Sequence, residues 1–141
     1  SRVMTKTIFI TGPSSGIGKA TAYYFHERGW NVVASMRSPD KAGDLAELER
    51  TLVTRLDVVD GESIASARDA ALQRFGRVDV LLNNAGYGAY GPLEAFSMER
   101  IERQFATNVT GLLAVTKAFL PDFRAQKSGV IVNISSIGGQ M

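Results

Sequence analysis

The 141-residue chain contains no cysteine and a single histidine, His26. The lack of cysteine excludes a disulfide scaffold and a thiolate metal site, and it is compatible with a reducing cytoplasm. With one histidine, a multi-histidine metal centre is excluded as well. We therefore expect no metal site, and we interpret His26 as a partly exposed surface residue of a helix.

Long hydrophobic runs and blocks of a single charge are also missing. No apolar stretch approaches the roughly 20 residues of a membrane-spanning helix, and the early run TIFI is too short for a signal peptide. The 16 basic and 14 acidic residues are scattered and give a net charge of +2. This pattern indicates a mildly basic surface rather than a nucleic-acid partner. We expect a cytoplasmic protein with no membrane or nucleic-acid partner.

The chain does contain a regular alternation of strand-like and helix-like segments. Five runs have the composition of buried strands: TIFI, NVVASM, TLVTRLDV, VDVLLNNAG and GVIVNISS. Helical patterns separate them, which predicts an α/β fold with a doubly wound parallel sheet and right-handed crossovers. Ligands of such sheets bind beyond the carboxyl ends of the strands. No linker divides the chain, so we predict one domain over residues 4–141.

Two of the helices show stripes at helical spacing, and we expect the stripe of the longer helix to face the sheet. In the first helix this stripe is Ile17, Thr21 and Tyr24, and Gly29 ends the helix. In the long helix before the last strand, the expected stripe consists of Ile101, Phe105, Val109, Leu112, Leu113, Thr116 and Leu120. Pro121 is expected near the end of that helix.

The stretch TGPSSGIGKAT, residues 11–21, follows the first predicted strand. Glycine lets the main chain turn tightly and approach a ligand closely. Free amides and the dipole of the next helix favour an anion there, and two serines add hydroxyl donors. A plain strand-to-helix turn seldom needs three glycines and two serines. We predict a phosphate-binding loop.

Two well-known phosphate loops do not match this stretch. The nucleoside-triphosphate loop, G-x-x-x-x-G-K-[ST], requires glycine where Pro13 stands and serine or threonine where Ala20 stands. The pattern G-x-G-x-x-G also fails, because the glycines are Gly12, Gly16 and Gly18. A phosphotransferase is therefore disfavoured.

The spacing that does occur, T-G-x-x-x-G-I-G, resembles the short-chain dehydrogenase/reductase family. Further segments match that family in the right order: LDV at 56–58, NNAG at 83–86, NVTG at 108–111 and VNISSIGG at 132–139. The matches cover nearly the whole chain after Met4. The resemblance implies a Rossmann-type sheet with about five strands in the order 3-2-1-4-5. It also implies an oxidoreductase that transfers hydride between a nicotinamide cofactor and a carbonyl or alcohol carbon.

The resemblance also assigns the cofactor-binding residues. Those expected at the pyrophosphate and its ribose are Gly12, Ser14, Ser15, Gly16, Ile17 and Gly18. Asp57 would accept from the adenine amino group, with Val58 adjoining through its main chain, although an acid after a strand is often only a turn former. The residues expected beside the cofactor are Asn83, Ala85 and Gly86. Asn83 has an alternative role in tying neighbouring strands together.

The end of the second strand bears on the choice between NADP and NAD. NAD-preferring relatives have an aspartate where Met36 stands, and Arg37 follows it. With no carboxylate to repel a phosphate and a guanidinium that matches phosphate geometry, we expect NADP rather than NAD. The alternative for Arg37 is an ordinary surface arginine.

By the same resemblance, Ser136 orients the substrate oxygen and Asn108 holds a water of the proton relay. Ser135 competes for the first role, but Ser136 fits the family position better. Asn108 also stands inside an apolar helix stripe, where a buried amide must find partners. A functional role explains that position better than packing does.

The family's Tyr-x-x-x-Lys motif does not occur in residues 1–141, since none of the four tyrosines is followed by lysine four positions later. We therefore expect the domain to be truncated at its C-terminus, with an exposed fifth strand and little activity of its own. Residues 1–3 precede Met4 and are a candidate remnant of expression. For the full-length form we expect a small carbonyl or alcohol substrate and a homo-oligomer. A non-catalytic dinucleotide-binding sensor or interaction module is the alternative.

Overall fold

The structure, a computed structural model, describes residues 4–12, 16–85, 93–95 and 97–135. In these ranges one sheet is formed by β1 (Thr7–Thr11), β2 (Asn31–Met36), β3 (Thr51–Arg55), β4 (Val80–Ala85) and β5 (Val130–Ser135). The strand order is β3-β2-β1-β4-β5, and every pairing is parallel. The predicted doubly wound, Rossmann-type sheet and its strand order are confirmed.

Four α-helices in the described ranges connect the strands: α1 (Gly16–Glu27), α2 (Gly61–Phe75), α3 (Met98–Phe105) and α4 (Gly111–Gln126). A π-helical turn, Ala106–Thr110, joins α3 directly to α4. Short 3₁₀ turns occur at Pro39–Lys41, Gly43–Glu47 and Leu93–Ala95. No helix of the described part of the chain has the length and apolarity needed to cross a bilayer.

The ends of α2 show how local sequence determines helix boundaries. The Asp60 carboxylate accepts from the main-chain amides of Glu62 and Ser63, so it satisfies two donors that the helix leaves unpaired. At the other end Gly76 adopts a left-handed conformation with φ of 81°, and its amide donates to Leu72 O. Both boundaries therefore follow from single residues with the right side chain or the right backbone freedom.

Two hydrophobic clusters cover the two faces of the sheet. The cluster beneath α2 and α4 consists of Phe9, Val33, Leu56, Ile64, Ala67, Ala71, Val78, Leu81, Val115, Phe119 and Phe123. The cluster beneath α1 and the 3₁₀ turns consists of Ile8, Ile10, Ala22, Val32, Ala34, Met36, Ala42, Leu45 and Leu82. Every residue of β1 is buried, as a central strand covered on both faces requires.

The predicted inward stripe of the long helix is wrong in part: Thr116 faces Asn83 of β4, but other members of the stripe are exposed. Phe105, Val109 and Leu113 are 61%, 39% and 60% exposed, whereas the buried residues of α4 are Gly111, Val115, Phe119 and Phe123. The π-helical turn explains the difference, because its wider turn changes the helical phase between α3 and α4. A stripe counted continuously at 3.6 residues per turn therefore leaves the sheet.

The stripe of Ile17, Thr21 and Tyr24 is not the buried face of α1. Ile17 and Tyr24 are exposed, and the buried residues of the helix are Gly18 and Ala22. Small side chains let the helix axis approach the strands closely, while Tyr23 and Phe25 of the same helix are half-buried and pack against the core cluster beneath α1.

The long helix also continues past Pro121 to Gln126. Asp122 accepts from Arg68 of α2, with Nε–Oδ2 and Nη2–Oδ1 distances of 2.8 and 2.6 Å. This bidentate hydrogen bond raises the pKa of the Arg68 guanidinium. The pair joins α2 to α4 and helps to hold the helix beyond its proline.

Candidate cofactor and active site

The glycine loop begins at the carboxyl end of β1. Gly12 has a positive φ of 65°, its amide donates to Ser35 O over 2.8 Å, and its carbonyl accepts from Asn84 Nδ2 over 3.0 Å. A Cβ on Gly12 would lie 3.2 Å from Asn84 O. The position therefore demands glycine for two reasons: the backbone angle, and the close approach of β4.

The first turn of α1 follows this loop at the same edge of the sheet. Gly16 has a φ of 60°, Ile17 is exposed, and Gly18 is buried. The first turn of α1 contains no acidic residue, so no carboxylate there opposes an anion at the helix N-terminus. Ser14 and Ser15 lie outside the described residues.

At the end of β2, Met36 is buried in the core, and the next residue, Arg37, is exposed to solvent. Met36 is only 4% exposed and belongs to the core cluster beneath α1. Arg37 is exposed, and within the described ranges its guanidinium forms no ion pair. The strand end therefore offers a cation to solvent and no carboxylate.

Asp57 and Val58 form the turn after β3. Asp57 Oδ1 accepts from Val59 N over 3.1 Å, which makes the carboxylate a turn former. Its second oxygen, Oδ2, has no partner among the described residues. Val58 is half-buried and packs against the core cluster beneath α2 and α4.

Asn83 lies inside the protein near the carboxyl end of β4. Its side chain is 3% exposed, and Nδ2 donates to Thr116 Oγ1 over 3.1 Å and to Asn133 Oδ1 over 3.0 Å. These bonds tie β4 to β5 and to α4, the alternative role that the sequence offered for Asn83. Ala85 is the last residue of β4, and Gly86 lies outside the described residues.

Asn108 stands in the middle of the π-helical turn. Its Oδ1 is buried and has no hydrogen-bond partner among the described residues. A buried acceptor without a partner costs roughly 1–3 kcal/mol, and π-turns inside helices occur frequently at functional sites. Packing alone therefore does not explain why a side-chain amide stands at this position.

The predicted serine follows β5. Ser135 ends this strand and pairs with Ala85 of β4, so the end of β5 lies beside the end of β4 at the carboxyl edge. Ser136 lies outside the described residues. Among the described side chains, no group of three histidine, aspartate or glutamate residues is arranged to hold a metal.

A family model described as short chain dehydrogenase matches residues 6–141. The chain belongs to the short-chain dehydrogenase family. An uncharacterised oxidoreductase of Schizosaccharomyces pombe is 53% identical over 106 residues, which are 75% of this chain and 45% of that protein. The 3-ketodihydrosphingosine reductase of Bacteroides thetaiotaomicron is 40% identical, with 95% of this chain and 48% of the relative covered.

A solved structure shows the same likeness to this short-chain dehydrogenase. The 3-ketoacyl-(acyl-carrier-protein) reductase of Brucella melitensis, complexed with NADH, has a TM-score of 0.88 and 32% identity. The alignment covers 94% of this chain and 58% of the Brucella chain. The chain thus spans about half the length of the relatives that it matches.

Sequence reasoning missed several residues that hold the site of this short-chain dehydrogenase together. Asn84 donates through its side-chain Nδ2 to Gly12 O and through its main-chain N–H to Thr11 Oγ1. Thr116 and Asn133 accept from Asn83. The only signal in the sequence is the cluster of amides in NNAG and VNIS, and their partners depend on the pairing of strands.

Proposed function

We propose that the protein is an NADP-dependent oxidoreductase that transfers hydride between the nicotinamide and a carbonyl or alcohol substrate. The observation that carries the proposal is the glycine loop at the end of β1. There Gly12 lies so close to β4 that a Cβ on it would be 3.2 Å from the main-chain oxygen of Asn84. The adjoining N-terminus of α1 favours a diphosphate. Its relatives are oxidoreductases, which favours an enzyme over a non-catalytic binding module.

The chain's own residues suit a nicotinamide dinucleotide. The main chain around Gly12, Gly16 and Gly18 would hold the pyrophosphate, together with Ser14 and Ser15. Asp57 would accept from the adenine amino group through Oδ2, since Oδ1 is already used by Val59 N. The bound cofactor supplies the hydride chemistry, and the protein supplies orientation and proton management.

Arg37 is the basis for proposing NADP. Its exposed guanidinium has no ion-pair partner in the described part of the chain, and the preceding Met36 is packed in the core. A 2′-phosphate would therefore find a bidentate donor and no opposing carboxylate. The Brucella reductase was solved with NADH, so the proposal rests on Arg37 and not on that neighbour.

On the substrate side we propose that Ser136 donates to the substrate oxygen and that Asn108 holds a water of the proton relay. The unpartnered Oδ1 of Asn108 can accept a hydrogen from such a water. A substrate with a ketone is supported by the name of the Bacteroides relative, a 3-keto reductase. We also propose that the protein acts in the cytoplasm and that its full-length form is a homo-oligomer.

We expect the full-length protein to oxidise NADPH in the presence of ketones, and Asn108→Ala to lower kcat by about 100-fold, the lower end of general acid–base contributions. Because Oδ1 has no partner, its loss is expected to leave the free energy of unfolding unchanged or raised. Turnover followed at 340 nm and denaturant unfolding measure the two effects.

Asn31→Ala is a control, since this asparagine donates to Thr7 Oγ1 at the opposite edge of the sheet. It should lower stability and leave kcat unchanged. Residues 1–141 contain no Tyr-x-x-x-Lys pair, so we expect a sample of these residues alone to turn over slowly. An Asn108→Ala enzyme with wild-type kcat would refute the proposed relay.

A further inference from the structure

The start of α4 lies directly against the turn that carries Asp57 and Val58. Gly111, the first residue of the helix, is buried. A Cβ placed on Gly111 would lie 2.7 Å from Val58 Cγ2 and 2.8 Å from Val58 Cβ, distances that real Cβ contacts essentially never show. Only glycine therefore allows this helix and this turn to lie at their present separation.

We infer that Gly111 is a positioning residue, whose missing side chain lets the adenine-binding turn lie against α4. This inference rests on the proposed function, in which Asp57 and Val58 contact the adenine. It adds a residue outside the turn that determines where the adenine contacts lie.

The turn is held tightly on its other side. Asp57 N donates to Ser63 Oγ, and Ser63 Oγ lies within donor distance of the carbonyls of Asp57 and Asp60. Asp60 N donates to Asp57 O over 2.9 Å. Val58 itself packs against the core cluster beneath α2 and α4. The turn therefore has one well-defined position, and pressure from α4 would displace it.

The helix side of the contact resists displacement more strongly. Gly111 N donates to Ala106 O and closes the π-helical turn around Asn108. Further along α4, Val115, Phe119 and Phe123 are buried in the core, with the Phe119 ring 4.8 Å from that of Phe9. A Cβ on Gly111 would also lie 3.0 Å from Ala106 O of the π-helical turn, so it presses on both neighbours. Because the buried residues anchor α4 along its length, we expect the turn at Val58 to yield more than the helix does.

The test is Gly111→Ala in the full-length protein, with cofactor affinity measured by fluorescence titration. Overpacking here is expected to displace the adenine-binding turn, and we expect affinity for NADPH to fall by about tenfold, which is about 1.4 kcal/mol. Dihydronicotinamide mononucleotide lacks the adenylate half of the cofactor, and its affinity should be unchanged. Loss of affinity for both ligands to the same degree would show general damage and overturn the inference, as would wild-type affinity for NADPH.

The matched control is Gly61→Ala. Gly61 is also the first residue of a helix, but a Cβ there meets nothing within 4 Å. It should bind both ligands as the wild type does. Val58→Ala, which removes the Cγ2 atom nearest to Gly111, gives a second check. Combined with Gly111→Ala, it should lose less NADPH affinity than the sum of the two single losses. Additive losses would overturn the inference.

The experiment also distinguishes a variant that does not fold from a wild-type protein that does not bind NADPH. If Gly111→Ala fails to fold, Val58→Ile adds a methyl group from the opposite side of the same contact and should show the same NADPH-selective loss; an unchanged affinity then overturns the inference. If the wild type binds no NADPH, the proposed function fails before any variant is compared. Binding by the wild type with equal binding by Gly111→Ala rejects the positioning role alone.

Discussion

Ser136→Ala in the full-length protein is expected to lower kcat by about 100- to 1,000-fold, the range for removing one donor aimed at a developing oxyanion. The proposed hydroxyl donates to the substrate oxygen, and its bond strengthens as charge builds up there. Affinity for NADPH should be unchanged, because the serine is proposed to contact substrate and not cofactor. Steady-state turnover and a cofactor titration on the same preparation measure both.

The neighbouring serine provides the matched control for this prediction. Ser135 ends β5 and pairs with Ala85 of β4, whereas Ser136 is the next residue along the chain. Ser135→Ala should retain kcat to within the error of the assay. If Ser135→Ala lost activity and Ser136→Ala kept it, the assignment between the two serines would be reversed.

The second large effect is expected at Arg37. Arg37→Ala should weaken NADPH binding by about 10- to 100-fold, because hydrogen bonds to charged groups contribute about 1.5–3 kcal/mol. NADH carries no 2′-phosphate, so its affinity should be unchanged and the preference between the two cofactors should fall by the same factor. Titrations with both cofactors at two salt concentrations measure the change.

Lys41→Ala is the control for a general effect of positive charge. Lys41 is an exposed cation in the 3₁₀ turn that follows Arg37, and its loss changes the net charge equally. It should weaken NADPH binding only slightly, and less at the higher salt concentration. Equal losses for the two variants, or equal effects of Arg37→Ala on NADPH and NADH, would argue against a phosphate site at Arg37.

The fold was predictable because its signals are local. NVVASM is β2 residue for residue, and Gly29, the glycine predicted to end the first helix, follows α1 with a positive φ of 85°. The strand order came from the family resemblance and is confirmed. Which residues of α4 face the sheet was not predictable from a 3.6-residue period. The π-helical turn before Gly111 rotates the residues of α4 about the helix axis relative to those of α3.

The candidate site was predictable in part for a similar reason. The need for glycine at Gly12 can be read from the spacing of the loop, and the structure adds the approach of Asn84 as its cause. The partners of Asn83 lie on β5 and α4, and Val58 meets Gly111 across the layer. Contacts between residues far apart in sequence depend on strand register and helix placement, which local patterns do not specify.

Calorimetric titration of the full-length protein with NADPH and with NADH tests the central claim most directly. That claim is that the main chain between Thr11 and Gly18 holds the diphosphate of a nicotinamide dinucleotide. We expect one saturable site per chain, which takes both cofactors and binds NADPH more tightly. A folded protein that released no heat with either cofactor, and gained no thermal stability from them, would contradict it.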